Sequence, residues 1–129
     1  MRPQPLICVS DIETSSRWYR RLLGLRGGNA GHGYERLFAD DALVLQLHRF
    51  EDGHDHGPIG DPDVRPYGNG VLLWFEVDDF EAAMARAAEM KAEIALPRHV
   101  NDRPGHWECW LRDPDGYVVV IASRDGTAP

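Results

Sequence analysis

The stretches Val9-Ser10-Asp11 and Val77-Asp78-Asp79 decide how this chain folds. Each one ends a short apolar strand pattern and begins a helical pattern, and the two aspartates Asp11 and Asp79 are 68 positions apart. The chain contains a second pair of similar stretches, the acidic turns at residues 39–41 and 113–116. Both turns lead into aliphatic strand patterns. The pattern in each half of the chain therefore predicts a strand, a helix and then paired strands. Neither half can bury a large core alone, so we expect the two to share one interior.

Hydrophobic residues make up 43% of the chain, which is typical of a soluble globular protein. We expect one domain that spans residues 1–129. The net charge of −7 and the scattered arginines argue against a nucleic-acid partner. No apolar run is long enough to span a membrane, and residues 1–5 lack the pattern of a signal peptide, so we expect a cytoplasmic protein without membrane contact. Cys8 and Cys109 lie in strand patterns, and in a reducing compartment both are expected to be free thiols.

The first module is predicted at about residues 4–50, with a strand at 6–9, a helix near 15–23 that Gly24 ends, and a strand at 42–48. Alternation in the last strand assigns its leucines to the helix and leaves Gln46 and His48 on the opposite face. Residues 51–70 are rich in Gly, Pro, Asp and His without periodicity, which predicts a linker. It either joins the two modules of one chain or reaches across to a partner chain.

The second module is predicted at about residues 71–124. Residues 71–77 alternate as a strand, and a helix follows with Asp79 as its N-cap. Strands at 107–112 and 117–122 flank the turn sequence Asp113-Pro114-Asp115-Gly116. The second half thus repeats the plan of the first.

Three groups of motifs, taken in their order along the chain, resemble one family. They are Val9-Ser10-Asp11 with Trp18-Tyr19 and Leu23-Gly24-Leu25, then Phe75-Glu76-Val77-Asp78-Asp79, then Arg112-Asp113-Pro114-Asp115-Gly116-Tyr117. Together they resemble the vicinal oxygen chelate superfamily of glyoxalase I, bleomycin-resistance proteins, fosfomycin-resistance transferases and extradiol dioxygenases. The resemblance spans nearly the whole chain. It implies an α+β fold with two tandem βαβββ modules, whose mixed sheets form a cup-shaped half-barrel around a small-molecule site, and a homodimer.

Metal-dependent relatives hold a divalent cation at four positions of that cup. By the resemblance these positions are Gln4, Gln46, Leu72 and Val120. Leucine and valine have no lone pair to donate, and two neutral amides form a weak cation site. We therefore expect no metal and no other cofactor, which makes the chain closest in character to the metal-free bleomycin-resistance type.

Alternation and the resemblance together predict the residues that line the cup. The ligand-binding candidates are Tyr34, Arg36, Gln46, His48, Trp74, Glu108 and Trp110. Two indoles with a few polar groups suit a planar or aromatic small molecule. The alternative is that both tryptophans only fill the barrel. Cys8 faces the same interior and is interpreted as a small apolar residue.

Candidates for catalysis are weaker. His48 and Glu108 could form an acid-base pair, or Arg36 could pair with Glu108 and leave His48 at the rim. His54 and His56 in the linker form a solvated polar loop, a lid, or part of a relocated metal site.

The sequence therefore predicts first a protein that binds a small molecule without chemistry, favouring a cationic ligand because the chain is acidic. The alternative is a lyase, dioxygenase or transferase of the same superfamily, with a relocated metal or none. A purely structural interaction module is the least supported reading, and neither the ligand nor a catalytic role follows from the sequence.

Overall fold

The computed structural model describes residues 2–28, 33–54, 57–59, 61–68, 71–102 and 105–129, with residues 51–54 and 57–59 described by their backbone. The described residues form two helices and nine strands in two compact units, Met1–Pro66 and Tyr67–Pro129. The units divide inside the predicted linker at residues 51–70, and each is described by itself. In the described part of the chain, neither helix combines the length and the hydropathy needed to cross a membrane.

The first unit contains a three-stranded mixed sheet and one helix. Its elements are β1 (Leu6–Val9), α1 (Ile12–Leu23), β2 (Tyr34–Ala39) and β3 (Ala42–Arg49). β1 runs parallel to β3 and β2 antiparallel to it, in the order β1-β3-β2. A separate two-stranded sheet follows, formed by β4 (Glu51–His54) and β5 (Gly57–Ile59). This hairpin lies within the predicted linker, where the absence of periodicity had indicated no strand.

Capping residues set the limits of α1. The Asp11 side chain accepts a hydrogen bond of 2.9 Å from the backbone N–H of Thr14, as an N-cap does. The helix therefore begins at Ile12, about one turn before the predicted residue 15. Gly24 ends it with a φ of 69°, and its N–H bonds the Arg20 carbonyl at 2.9 Å.

The second unit is a complete βαβββ module. It consists of β6 (Leu72–Glu76), α2 (Phe80–Glu89), β7 (Glu93–Asn101), β8 (His106–Arg112) and β9 (Val118–Ala122). The strand order is β6-β9-β8-β7, with β6 parallel to β9 and the other pairs antiparallel. Two mixed sheets and two helices confirm the predicted α+β fold class. The first and last strands of this module are neighbours, so the sheet forms only when distant parts of the unit meet.

Local hydrogen bonds explain the two acidic motifs of this unit. Asp79 is the N-cap of α2, as predicted, and its side chain accepts from the Ala82 N–H at 2.9 Å. The Asp113 side chain accepts from the N–H groups of Asp115 and Tyr117, both at 2.9 Å, which holds the turn between β8 and β9. The first Asp of Asp-Pro-Asp-Gly thus has a structural role.

The core of the second unit lies between α2 and the sheet. Phe80, Ala83 and Ala87 of α2 are buried, and Leu111 of β8 is fully buried. Complete burial of one leucine side chain stabilises a fold by about 2 kcal/mol. Because strand side chains alternate, the residues on either side of Leu111 lie on the other face of the sheet. That face carries the candidate site.

Candidate functional site

The tryptophans Trp74 and Trp110 share one face of the second unit's sheet. Cys109 and Leu111 line a hollow beside α2, so Trp110, between them on β8, lies on the face away from the helix. Trp110 pairs with Val120 of β9, and Val120 pairs with Trp74 of β6. The two indoles therefore flank a fully buried valine in one row across the sheet. We call this surface the tryptophan face.

Much of the tryptophan face is apolar and accessible. Trp74 is 44% exposed and Trp110 is half-buried. Leu96 of β7 continues the row beyond Trp110 and is 39% exposed. Leu72, two residues before Trp74 on β6, lies on the same face and is 44% exposed. Large apolar side chains that stay accessible on one face form the kind of surface that a planar ligand covers.

A buried carboxylate lies in the next row of the same face. Glu108 is only 3% exposed, and its Oε1 accepts from Trp110 Nε1 at 3.0 Å and lies 2.9 Å from His99 Nε2. Its Oε2 lies 2.8 Å from His106 Nε2. Burial alone would raise the pKa of Glu108, but the hydrogen bonds from His106, Trp110 and His99 outweigh it and lower that pKa. Glu108 is therefore an ionised carboxylate held in place by the side chains of His106, Trp110, His99 and Asn101.

His106 lies between two carboxylates. Besides the contact with Glu108, its Nδ1 is 3.2 Å from Asp125 Oδ1. Burial lowers the pKa of His106, but the hydrogen bonds to Glu108 and Asp125 outweigh burial and raise the pKa above its ordinary value. His106 donates to both carboxylates only when both of its ring nitrogens carry hydrogen. Its ring centroid lies 5.8 Å from that of Trp74, with the two ring planes tilted by 59°.

His99 links this cluster to solvent. Its Nδ1 lies 2.8 Å from the Pro97 carbonyl oxygen, which can only accept, so Nδ1 carries a hydrogen. Its Nε2 faces Glu108, and its side chain is 36% exposed. The chain Asp125–His106–Glu108–His99, named here the carboxylate–imidazole chain, can hold or move protons between two accessible ends.

The predicted site residues of the first unit form a cluster of their own on β2 and β3. Tyr34 pairs with His48, and Arg36 with Gln46, in the sheet register. The Tyr34 hydroxyl donates to Gln46 Oε1 at 2.6 Å, and Gln46 Nε2 donates to the Gln4 carbonyl at 2.9 Å. His48 is buried, with Nδ1 2.6 Å from the Arg49 carbonyl oxygen.

Arg36 and His48, the two partners proposed for Glu108 from the sequence, lie in the first unit. The Arg36 guanidinium lies 5.6 Å from the centre of the Phe38 ring. His48 belongs to the first unit and Glu108 to the second, and each unit is described by itself. Their pairing in an acid-base step stays a prediction. His56 lies outside the described residues and His54 is described by its backbone alone, so the predicted lid or metal role of that loop also stays a prediction.

The four family positions do not fit a divalent cation. Both ends of the Gln46 amide are occupied by Tyr34 and by the Gln4 backbone. Leu72 is a half-exposed aliphatic side chain, and Val120 is fully buried between the two tryptophans. Among the residues that the structure describes, no three His, Cys, Asp or Glu side chains are arranged to hold a metal ion. A role without a cofactor remains a prediction.

Sequence reasoning missed His99, His106 and Asp125. His106 lies two residues before Glu108 on the same strand, so alternation alone could have found it. His99 could not be placed, because β7 shifts register between Ile94 and Leu96 and again between Leu96 and His99. Each shift moves the following side chains to the opposite face.

Comparison with known proteins identifies the family. The model of the "Glyoxalase/Bleomycin resistance protein/Dioxygenase superfamily" matches residues 3–121. The chain belongs to this superfamily. The resemblance inferred from the repeated motifs is thereby confirmed. The sequence of the chain matches no curated protein.

Solved structures share the superfamily fold. A bleomycin resistance determinant encoded on the transposon Tn5 is 17% identical, with a TM-score of 0.68, and the match covers 96% of this chain and 98% of that one. A glyoxalase-related enzyme from Fulvimarina pelagi is 18% identical with a TM-score of 0.73, covering 96% and 88%. A protein of unknown function from Agrobacterium tumefaciens is 23% identical with a TM-score of 0.74, covering 96% and 94%. At these identities the likeness concerns the fold.

Proposed function

We propose that this superfamily protein binds one small, planar, cationic aromatic molecule on the tryptophan face, without a metal ion. The observation that carries the proposal is the row Trp74–Val120–Trp110, in which two accessible indoles lie on either side of a buried valine. Rings of a planar ligand stack on indoles, and an aromatic pair contributes roughly 0.5–1.5 kcal/mol beyond its buried area.

Charge favours a cation as the ligand. The chain has a net charge of −7, which attracts cations at long range. Trp74 and Trp110 offer indole faces, which bind cations through the ring quadrupole. The Glu108 carboxylate does not serve as the counter-ion, because both of its oxygens already accept hydrogen bonds. Recognition therefore depends on stacking and long-range attraction.

Binding without metal agrees with the residues at the four family positions. Two of them, Leu72 and Val120, have no donor atom, and the Gln46 amide is engaged within its own sheet. The Tn5 relative is named for resistance to bleomycin, a property of that protein. By analogy, we propose that the present chain sequesters its ligand instead of converting it.

Titration with a panel of planar cationic dyes and antibiotics, followed by tryptophan fluorescence and calorimetry, tests the proposal. The variant Trp74→Leu removes one stacking surface and is expected to weaken binding about tenfold. Trp107→Phe is the matched control, because Trp107 neighbours Glu108 on β8 but lies under the Arg98 guanidinium, 4.8 Å from its ring centre. A flat response to the whole panel, or equal losses in both variants, would contradict the proposal.

A second candidate function is metal-free proton transfer on the same face. It is favoured by the carboxylate–imidazole chain, in which the pKa of a buried glutamate is lowered and that of its histidine neighbour is raised. His99, the part-exposed member, would exchange the proton with the bound molecule. His99→Gln should then abolish turnover of a compound that still binds, whereas a binding protein gives no turnover in either form. His48→Ala tests the sequence-predicted alternative, and elemental analysis tests for a relocated metal.

A further inference from the structure

A groove of about 430 Å³ lies between α2 and the strands β7 and β8, on the sheet face opposite to the tryptophan face. We call it the helix groove. Its lining includes Met84, Ala88, Lys91, Ile94, Cys109 and Leu111. Sites for drug-sized molecules occupy roughly 300–1,000 Å³, so the helix groove has room for a small ligand.

The walls of the helix groove are mainly apolar. Met84 and Ala88 come from α2, and Ile94 of β7 is 57% exposed. The Cys109 thiol lies among them, buried, and donates to the Leu96 carbonyl at 3.6 Å. An isoleucine exposed to this extent beside an alanine-rich helix leaves apolar surface in water, which a hydrocarbon or aryl group would cover.

Two cations border the groove, and only one is available. The Arg98 guanidinium bonds both carboxylate oxygens of Glu81, at 2.9 Å and 2.6 Å, and is thereby neutralised. Lys91 is exposed, and among the described side chains its ammonium has no ion-pair partner. It is also the only lysine in the chain. The available charge of the groove is therefore positive.

No carboxylate competes for Lys91 from within the lining. Glu93 pairs across the strands with Arg112, whereas its neighbour Ile94 lines the groove, so the Glu93 side chain lies on the other face. The partial negative charge at the C-terminus of α2 is reduced as well. Carbonyls of its last turn accept from the backbone N–H groups of Met90, Lys91 and Ala92, at 2.9, 3.0 and 3.0 Å.

We propose that the helix groove binds a small amphiphilic anion, an aliphatic or aryl monocarboxylate. Its apolar body lies against Ile94, Cys109 and Leu111, and its carboxylate meets the Lys91 ammonium. This is a second site, separated from the tryptophan face by the thickness of the sheet. It does not depend on the function proposed for that face.

Calorimetry with sodium decanoate on the whole chain tests the proposal. One decanoate per chain is expected, with decan-1-ol binding more weakly and decyltrimethylammonium more weakly still. Lys91→Gln should weaken decanoate binding about threefold, the loss expected for one exposed ion pair, and Lys91→Glu more than that. Both variants change an exposed side chain, so the fold is retained. Equal affinity for decanoate and decan-1-ol, unchanged by Lys91→Gln, would overturn the proposal.

Variants on α2 locate the site. Ala88→Phe places a ring in the groove from its rim and should block decanoate. Ala85→Phe is the matched control, an exposed alanine on the same helix that does not line the groove. Bound decanoate should also slow the alkylation of Cys109 by N-ethylmaleimide relative to that of Cys8. Trp74→Leu should leave decanoate binding unchanged, which separates this test from that of the tryptophan face. Equal behaviour of the two phenylalanine variants, or no protection of Cys109, would place decanoate elsewhere and overturn the proposal.

Discussion

At the scale of single residues, Glu108 is the buried carboxylate of the candidate site. It accepts hydrogen bonds from several side chains and lies on a sheet face whose other members are mostly apolar. A buried charge is tolerated only with such partners, because losing one of them leaves an uncompensated group in a medium of low polarity. Replacing Glu108 should therefore affect stability as well as any function of the site.

Glu108→Gln tests this constraint. The amide is nearly isosteric but neutral, and its NH₂ group faces the N–H of a histidine or of Trp110. We expect the free energy of unfolding to fall by about 2–3 kcal/mol in urea denaturation. Glu76→Gln is the control, because Glu76 lies in the same cross-strand row but is exposed, and its change should stay within about 0.5 kcal/mol. Similar losses in both variants would show that the buried hydrogen bonds matter little.

The same pair predicts how stability depends on pH. The pKa of Glu108 is lowered, so its contribution is complete above the ordinary value of 4.5 and is lost as the pH falls through the lower folded pKa. The pKa of His106 is raised, so its contribution is complete below 6.5 and is lost as the pH rises through the higher folded pKa. The pair therefore stabilises the fold most between pH 4.5 and 6.5. Thermal unfolding across pH should show this, and His106→Asn should remove the decline on the alkaline side while His48→Asn keeps it.

At the scale of elements, short polar signals account for the helices. Asp11 and Asp79 accept from the N–H three residues later, both at 2.9 Å, and these two residues define the internal repeat. Each cap satisfies a donor that would otherwise lack a partner in the first turn. Because α2 covers the sheet core, weakening its cap should lower the stability of the whole second unit.

Asp79→Ala should lower the free energy of unfolding by about 1 kcal/mol, the usual effect of removing an N-cap acceptor. Asp79→Asn retains an oxygen at the same position and should cost much less. Chemical denaturation followed by circular dichroism measures both. If alanine and asparagine behave alike, the hydrogen bond to Ala82 does not stabilise α2.

The sequence predicted some elements well and others poorly, for local reasons. β1, both helices and the turn at Asp113 follow from residues close together in the chain, so their patterns were readable. β7 was not assigned, because Pro97 and two register shifts interrupt its alternation. The β4–β5 hairpin was missed because Gly, Pro and Asp dominate its sequence, and these residues are depleted in strands.

The candidate site was predictable only where alternation along a strand determines which residues share a face. Glu108, Trp110 and Trp74 share a face because alternation and the pairing of β6, β8 and β9 bring them there. The partners of Glu108 depend on cross-strand register, which a single sequence does not reveal when bulges intervene. Within the second unit, His99 and His106 are imidazoles that contact Glu108, and neither was among the candidates from the sequence. The pairing of Glu108 with His48 stays a prediction.

At the scale of the whole molecule, the superfamily fold leads us to expect a homodimer. In the described part of the chain, β7 is an edge of the four-stranded sheet, and most of its nine side chains are exposed. Long exposed edges are rarely left uncovered in stable proteins. Light scattering at micromolar concentration should give twice the chain mass of 14.5 kDa. A mass of 14.5 kDa across the concentration range would disprove the dimer.

The single lysine has a consequence for proteolysis. A lysine-specific protease has one cleavage site, after Lys91, in the exposed turn that follows α2. The cut separates β6 and α2 from β7, β8 and β9 in the covalent chain. Because β6 pairs with β9, the last strand, the two fragments remain joined through backbone hydrogen bonds. The nicked protein should therefore migrate as one species under native conditions and as two after denaturation.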